Sequence, residues 1–579
     1  MFPTPIHLCL YPTPLTNLLR TRICSNYLRM PRRQKVRTLK QLCLCNVAAN
    51  MKEVWAKDYM DNYLTQYDFL YIIGPFNDLA SSLVQDLLQL LGETHRLSRA
   101  YLHLLLVPHL VELNLRSCSG LVSNAIGQII HTRCQGLTAL DLHGCSRIHS
   151  SLLVDLIECL PRLYKLTLSG TQCNLQVLSA IGCTCRELRE LDVSMCKAVT
   201  SLALLHLVYD QSRAAFNPLR LGKLLTEGIQ LCPDSMEQQV IIVAFLLLAL
   251  PRLEYITPTF LVEALTLIHR RLFGKGQQFL HGQGFPSLEE ASGFTVTPGD
   301  SPSQTALTLR RLDVGSGQDL SIVTSVCREI VEARISLDDE VGDLQCLNSW
   351  KQLTHLSVDC SGIYRRNLSE MVPIFTCLGS RLHFLSLQNF HYHLETSISH
   401  ILGLCPSLRV FQALLHPPSQ NCYSALIDED SDGEDDDNQL DESLSLPTNW
   451  HFPHLKDFSL RILDSTVMPR TSQLSLGAAL ISALRGSPRL EKLSLINIHV
   501  NLDRVFQKVL EQPTSLVQLA ELCLSQSRVS PDSIQLLMAT ENQLTSIDLR
   551  HCRDIHRCHC DQFVSDVKRR KFDLKIVWE

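Results

Sequence analysis

The sequence predicts an α/β solenoid, and three observations carry that prediction. A ten-residue pattern recurs: residues 109–118 read HLVELNLRSC, 136–145 read GLTALDLHGC, 162–171 read RLYKLTLSGT and 187–196 read ELRELDVSMC. The anchoring leucines Leu110, Leu137, Leu163 and Leu188 lie 27, 26 and 25 residues apart. Each run is followed by a helix-period stretch, such as Ile148, Leu152, Leu153, Leu156, Ile157 and Leu160. Neither the leucines of a short strand nor the apolar side of one helix can be buried within a single unit. The units must therefore stack side by side.

Strand plus helix at this period is the signature of a leucine-rich repeat, whose stacked strands line a horseshoe. The Cys or Thr three places after the last strand leucine resembles the cysteine-containing class of these repeats, found in F-box receptors and other ubiquitin-ligase subunits. Beyond the first four units the pattern thins. Residues 212–250 read as mostly helical, and strand cores return at Leu253/Ile256, Leu309/Leu312/Val314, Leu353/Leu356/Val358, Leu382/Leu385/Leu387 and Leu408/Phe411. Four more follow at Leu455/Phe458/Leu460, Leu490/Leu493/Leu495, Leu519/Leu522/Leu524 and Leu544/Ile547/Leu549, for about 13 units in all. Phe572, Leu574, Ile576 and Trp578 alternate as a last strand that caps the open end. The array is expected over 109–579, with loops thrown out at about 274–304 and 420–447.

Composition fits this class. A 579-residue chain is too long for one compact core, whereas a solenoid grows by repetition. Its net charge of −5 makes no case for a general nucleic-acid binder. Of the 23 cysteines, Cys118, Cys145, Cys196 and Cys552 recur at one repeat position, and Cys134, Cys159 and Cys185 recur near helix ends. That placement suits small buried hydrophobes carrying free thiols, hence a reducing cytoplasmic or nuclear compartment. The first apolar stretch is broken by prolines and has no basic leader, so no export signal is expected. The most apolar run, 240–250, has 11 residues and is too short to span a bilayer.

Residues 1–30 read as disordered, and 31–108 as a helical segment ahead of the array. Within it, TLKQLCLCNV (38–47) admits two readings. Leu39, Leu42 and Leu44 could form a first repeat strand. On a helix, Thr38 instead caps the N-terminus, and Leu39, Cys43 and Val47 share a stripe with Leu42 beside it. The pattern Thr/Ser-Leu-x-x-x-Cys-x-x-x-aliphatic resembles the BC box by which receptors of the von Hippel–Lindau type bind elongin C. The resemblance implies elongin C and elongin B as partners, held through Thr38, Leu39, Leu42, Cys43 and Val47. Such receptors carry a cullin box downstream. Here residues 74–91, GPFNDLASSLVQDLLQLL, are the candidate, with Pro75, Phe76, Leu79 and Leu83 as the implied contacts. The Leu-Pro-x-Pro that marks cullin-5 binding is absent, which leaves cullin-2. Proline falls one place early for that version, and Leu79, Leu83 and Leu87 could equally pack inward against residues 101–106. PRAME-like receptors combine such a box with leucine-rich repeats.

Chemistry is sparse elsewhere. Residues 428–442 are acidic at ten of fifteen positions, and Ser431 among them resembles an acid-directed kinase site within a solvated loop. His551, Cys552, His556, Cys558, His559 and Cys560 offer metal-type side chains, but Cys552 is already the expected repeat cysteine. No P-loop, nucleophile elbow, H-E-x-x-H helix or dinucleotide motif is present, so no catalytic, cofactor or metal site is expected. The reading is a non-enzymatic substrate receptor of an elongin–cullin ubiquitin ligase. The alternative is a repeat scaffold or inhibitor with no ligase role.

Overall fold

Each leucine-anchored run folds as a short strand, and the strands pair in parallel in chain order. The computed structural model describes residues 38–57, 61, 74–231, 235–257, 259–293, 307–315, 320–337, 344–360, 366–392, 398–417, 451–463 and 470–578. Residues 1–30, the acidic insertion and Ser431 lie outside the described residues. The first half holds β1 (Glu112–Asn114), β2 (Ala139–Asp141), β3 (Lys165–Thr167), β4 (Glu190–Asp192), an antiparallel hairpin of β5 (Tyr209–Asp210) and β6 (Ala215–Phe216), then β7 (Lys223–Leu225) and β8 (Tyr255–Ile256). The second half holds β9 (Arg311–Val314), β10 (Glu332–Leu337), β11 (His355–Cys360), β12 (Phe384–His391) and β13 (Val410–His416). It ends with β14 (Asp457–Ile462), β15 (Lys492–Ile496), β16 (Glu521–Cys523), β17 (Ser546–Asp548) and β18 (Lys575–Val577).

Leaving the hairpin aside, six strands form one parallel sheet and ten form another. The backbone N–H groups of Arg310 and Arg311 donate to Glu254 O at 2.9 and 3.1 Å, so β9 follows on from β8. Register is set by the middle apolar residue of each run. Leu113, Leu140, Leu166, Leu191, Leu224 and Ile256 stand side by side across the first sheet. In the second, Leu312, Ala333, Leu356, Leu385, Phe411 and Phe458 continue the line to Leu493, Leu522, Ile547 and Ile576. Through Ile547 these side chains are at most 3% exposed. Burial of each contributes roughly 1.5–3 kcal/mol, and a slip of one residue would turn the whole line outward.

Two of the sixteen strands escape the leucine pattern. In β7 the unit is Leu221, Leu224 and Thr226, with a buried threonine at the place of the last leucine. In β10 the central leucine is replaced by Ala333, which is fully buried. Residues 212–250 are accordingly not mostly helical: they hold β6 and β7 before the helix Met236–Ala249. The expected loop at 274–304 is likewise corrected over its first part. Helices Gln277–Gly282 and Leu288–Gly293 form there because Leu280, Phe285, Leu288 and Ala291 find a core to enter. No described helix is long and apolar enough to cross a membrane.

The turn after each strand explains the repeat cysteine. Gly144, Gly170, Met195, Gln526 and His551, all directly before or near the Cys/Thr position, take positive φ between 57° and 74°. The next side chain then points inward at a backbone carbonyl. Cys196 Sγ donates to Leu168 O at 3.0 Å, Cys552 Sγ to Leu524 O at 3.0 Å, and Thr171 Oγ1 to Leu168 O at 2.6 Å. Cysteine and threonine interchange because both are small and carry one donor. Burial pushes Cys145 up to about 12 and Cys552 up to about 11, so these two thiols stay protonated, whereas a hydrogen bond with Cys173 lowers Cys196 to about 7. Cys552 is therefore occupied as a repeat donor, and among the described residues no group of three metal-type side chains forms a site.

Candidate partner-docking helix

Among the described residues ahead of β1 stand three α-helices, α1 (Leu39–Ala49), α2 (Ser81–Glu93) and α3 (Arg99–Leu105), with a π-helical turn Met51–Trp55 after the first. Residues 38–47 are thus helical, which removes the reading of this stretch as a first repeat strand. The local cause is a capping box. Gln41 N–H donates to Thr38 Oγ1 at 3.2 Å, and Thr38 N–H donates to Gln41 Oε1 at 3.0 Å. Two of the helix's orphan donors are satisfied in this way.

α1 lies against α2 with one face inward. Ala48 is buried, Leu44 and Val47 are half-buried against the core, and Met51 just beyond is 1% exposed. Lys40 Nζ meets Asp86 Oδ2 of α2 at 2.5 Å at the edge of this contact. The opposite face is bare. Leu39 is 78% and Leu42 48% exposed, and Cys43, Asn46 and Ala49 are exposed with them. At 100° per residue, positions 39, 42, 46 and 49 line up along one side, with Cys43 flanking them. The stripe expected from sequence, Leu39–Cys43–Val47, drifts round the helix, so Val47 turns inward while Leu42 belongs to the centre of the free face. Four of the five residues implied for elongin binding are exposed together (Thr38, Leu39, Leu42 and Cys43), and Val47 is the exception.

The segment implied for cullin contact is placed differently. Residues 75–79 form a turn, and α2 begins only at Ser81. Pro75 is exposed and Leu83 half-buried, but Phe76 is 2% exposed with its ring 5.6 Å from that of Trp55. Leu79 packs against the core, and its carbonyl accepts from His109 Nε2 at 2.6 Å. The buried stripe of α2 is Val84, Leu87, Leu88 and Leu91. Polar residues on the helix meet the open edge of the first strand: Gln85 Nε2 donates to Glu112 O at 2.9 Å, and Val111 N–H donates to Ser81 Oγ at 3.4 Å. α2 thus shields an edge that would otherwise invite strand pairing. Gly92 permits the close approach, since a Cβ there would collide with Ser117 Oγ. α3 completes the cap with His103. Burial lowers its imidazole to about 4, and Arg133 and Arg99 add to the effect.

No family model matches the sequence, and no curated relative is found. Among solved structures the chain is similar to the Rad7–Elc1 complex of yeast, at 14% identity and a TM-score of 0.33, covering 94% of this chain and 98% of that one. It is also similar to a leucine-rich-repeat protein of Leptospira interrogans, at 14% identity and a TM-score of 0.33, covering 81% and 95%. Superpositions this loose leave the strand ladder itself as the ground for the fold: an α/β solenoid of leucine-rich repeats, closed at its first edge by α2.

Proposed function

We propose that this chain is a substrate-recognition subunit of an elongin–cullin–RING ubiquitin ligase. In this reading α1 docks elongin C, and elongin B with it, while the repeats hold a protein substrate. One observation carries the reading. A capped helix, packed by its other face, keeps Leu39, Leu42 and Cys43 in water, where they contribute almost nothing to stability. The exposed set matches the part of the BC-box pattern that the family inserts into its partner. Cullin-2 remains the cullin implied by the resemblance, with Pro75 and Leu83 the residues left to touch it. The chain itself performs no catalysis in this account. The buried thiols that donate to backbone carbonyls support a cytoplasmic or nuclear location.

The test is co-purification of elongins B and C with the full chain. Leu39→Ser with Cys43→Phe should abolish capture and leave the melting temperature unchanged, because both side chains are exposed. Retained capture by the variant would remove α1 as the docking element. The burial of Phe76 and Leu79 favours a second reading, a repeat scaffold or inhibitor without a ligase role. In that case elongins are not captured at all, by the wild type or by the variant. If elongins bind, Pro75→Ala with Leu83→Ala should lower cullin-2 recovery and spare elongin.

A further inference from the structure

A basic run leads into the docking helix. Arg32, Arg33, Lys35 and Arg37 precede Thr38 directly, and they lie outside the described residues. Counting back from Thr38, Arg37, Lys35 and Arg33 fall at the first, third and fifth places, and Leu39 follows it. Along an extended chain, side chains alternate between two sides, so basic groups at odd places share one side. A protein kinase that holds its substrate extended against a carboxylate-lined cleft reads such a pattern by charge, and the acceptor hydroxyl lies at its end.

The structure makes that hydroxyl reachable. Thr38 is exposed, and so are Leu39, Lys40, Gln41, Leu42 and Cys43 after it. What holds this first turn is the capping box, with Gln41 N–H on Thr38 Oγ1 at 3.2 Å, and the exposed Lys40–Asp86 ion pair. An ion pair in water adds little. The turn therefore unwinds at small cost, and an exposed helix end of this kind frays long before packed repeats open. A kinase can take residues 33–39 as an extended strand without disturbing Val47, Ala48 or Met51, which face the core.

We propose that Thr38 is a phosphorylation site and that its phosphate switches the docking helix off. A basic-directed protein kinase supplies the group from ATP. Thr38 Oγ1 attacks the γ-phosphorus, and the Oγ1–P bond forms as the bond to the β,γ-bridging oxygen breaks. ADP leaves with that electron pair, and the hydroxyl proton passes to the kinase's base. The product carries a charge of about −1.5 to −2 at neutral pH. Two effects of opposite sign follow. Within α1 the phosphate sits at the positive end of the helix, where the N–H groups of Leu39 and Lys40 lack intrahelical partners, so the helix is strengthened. In the contact, the same group stands beside Leu39 and must leave water against an apolar surface, so docking is weakened. The helix persists and its partner is lost. This rests on the receptor reading and names the regulation of its docking site.

The full chain is first incubated with ATP and the catalytic domain of protein kinase B, and the site is read by mass spectrometry. Phosphate should enter at Thr38, and Arg33→Ala with Lys35→Ala should slow its entry at least about tenfold. The full chain is then produced with phosphothreonine encoded at position 38. It should bind elongin B–C at least about tenfold more weakly than the unmodified chain. Amide exchange over 39–43 should slow in the same sample. That pairing separates a switch from damage, because a phosphate that disordered α1 would speed exchange. Phosphate absent from Thr38, entry indifferent to the basic pair, unchanged elongin affinity or faster exchange would each overturn the proposal. An unmodified chain that binds no elongin overturns the receptor reading and the switch with it, whereas phosphate entry and exchange are read without elongin and judge the site by themselves.

Discussion

α1 and α2 are neighbouring leucine-rich helices that share a contact, yet they dispose of their leucines in opposite ways. α2 buries Val84, Leu87, Leu88 and Leu91 and turns Gln85 toward a strand edge. α1 leaves Leu39 and Leu42 in water and buries the smaller Ala48. The difference lies in what each helix has to cover. The first repeat presents an open apolar end, and α2 closes it. Once α2 is in place, α1 needs only a narrow strip of contact. A leucine stripe on a helix therefore shows that something covers it; whether the cover lies within the chain depends on what the adjoining repeat leaves bare.

The contrast should break most sharply under truncation. Leu87→Ala, at a side chain with no exposure, should cost about 2–5 kcal/mol and lower the melting temperature by several degrees. Leu39→Ala should move it by no more than a few tenths of a kcal/mol. Equal losses would mean that α1 is as much a part of the core as α2.

Acid should act on the buried side next. His103 is held at about 4 against an ordinary 6.5, so the unfolded chain binds its proton first as pH falls. Its contribution is fully present above pH 6.5 and is lost progressively down to about pH 4, by roughly 3 kcal/mol in all. His103→Gln should flatten that part of the stability–pH curve relative to the wild type, as denaturant melts at pH 7 and pH 4.5 would show. The smallest expected effect is at the cap. Thr38→Ala should cost about 1 kcal/mol of local helix stability. It should appear as faster amide exchange over 39–43 and a weaker elongin signal, with no change in the global melt.

Much of this was legible in the sequence. The 25–27-residue spacing located the strands, and Thr38 as an N-cap allowed a helix beside the strand alternative. The failures have physical causes. β10 was missed because Ala333 fills the leucine position, where the facing side chains leave room for less. β7 was missed because Thr226 stands in for a leucine. Val47 was assigned to the docking face because spacing alone gives the width of a stripe and not its direction. Packing of Leu44, Val47, Ala48 and Met51 toward α2, a helix remote in sequence, sets that direction, and no local pattern reveals it.

The joint between the two sheets has a mechanical consequence. β8 is only two residues long, and it joins β9 through the backbone N–H groups of Arg310 and Arg311 on Glu254 O and the Thr308 hydroxyl on Pro251 O and Leu253 O. In a stack where each unit holds only its neighbours, cooperativity passes along the array rung by rung, and it is weakest where a rung is shortest. Hydrogen exchange should therefore protect β1–β8 and β9–β18 as two units, with the step in protection falling between β8 and β9.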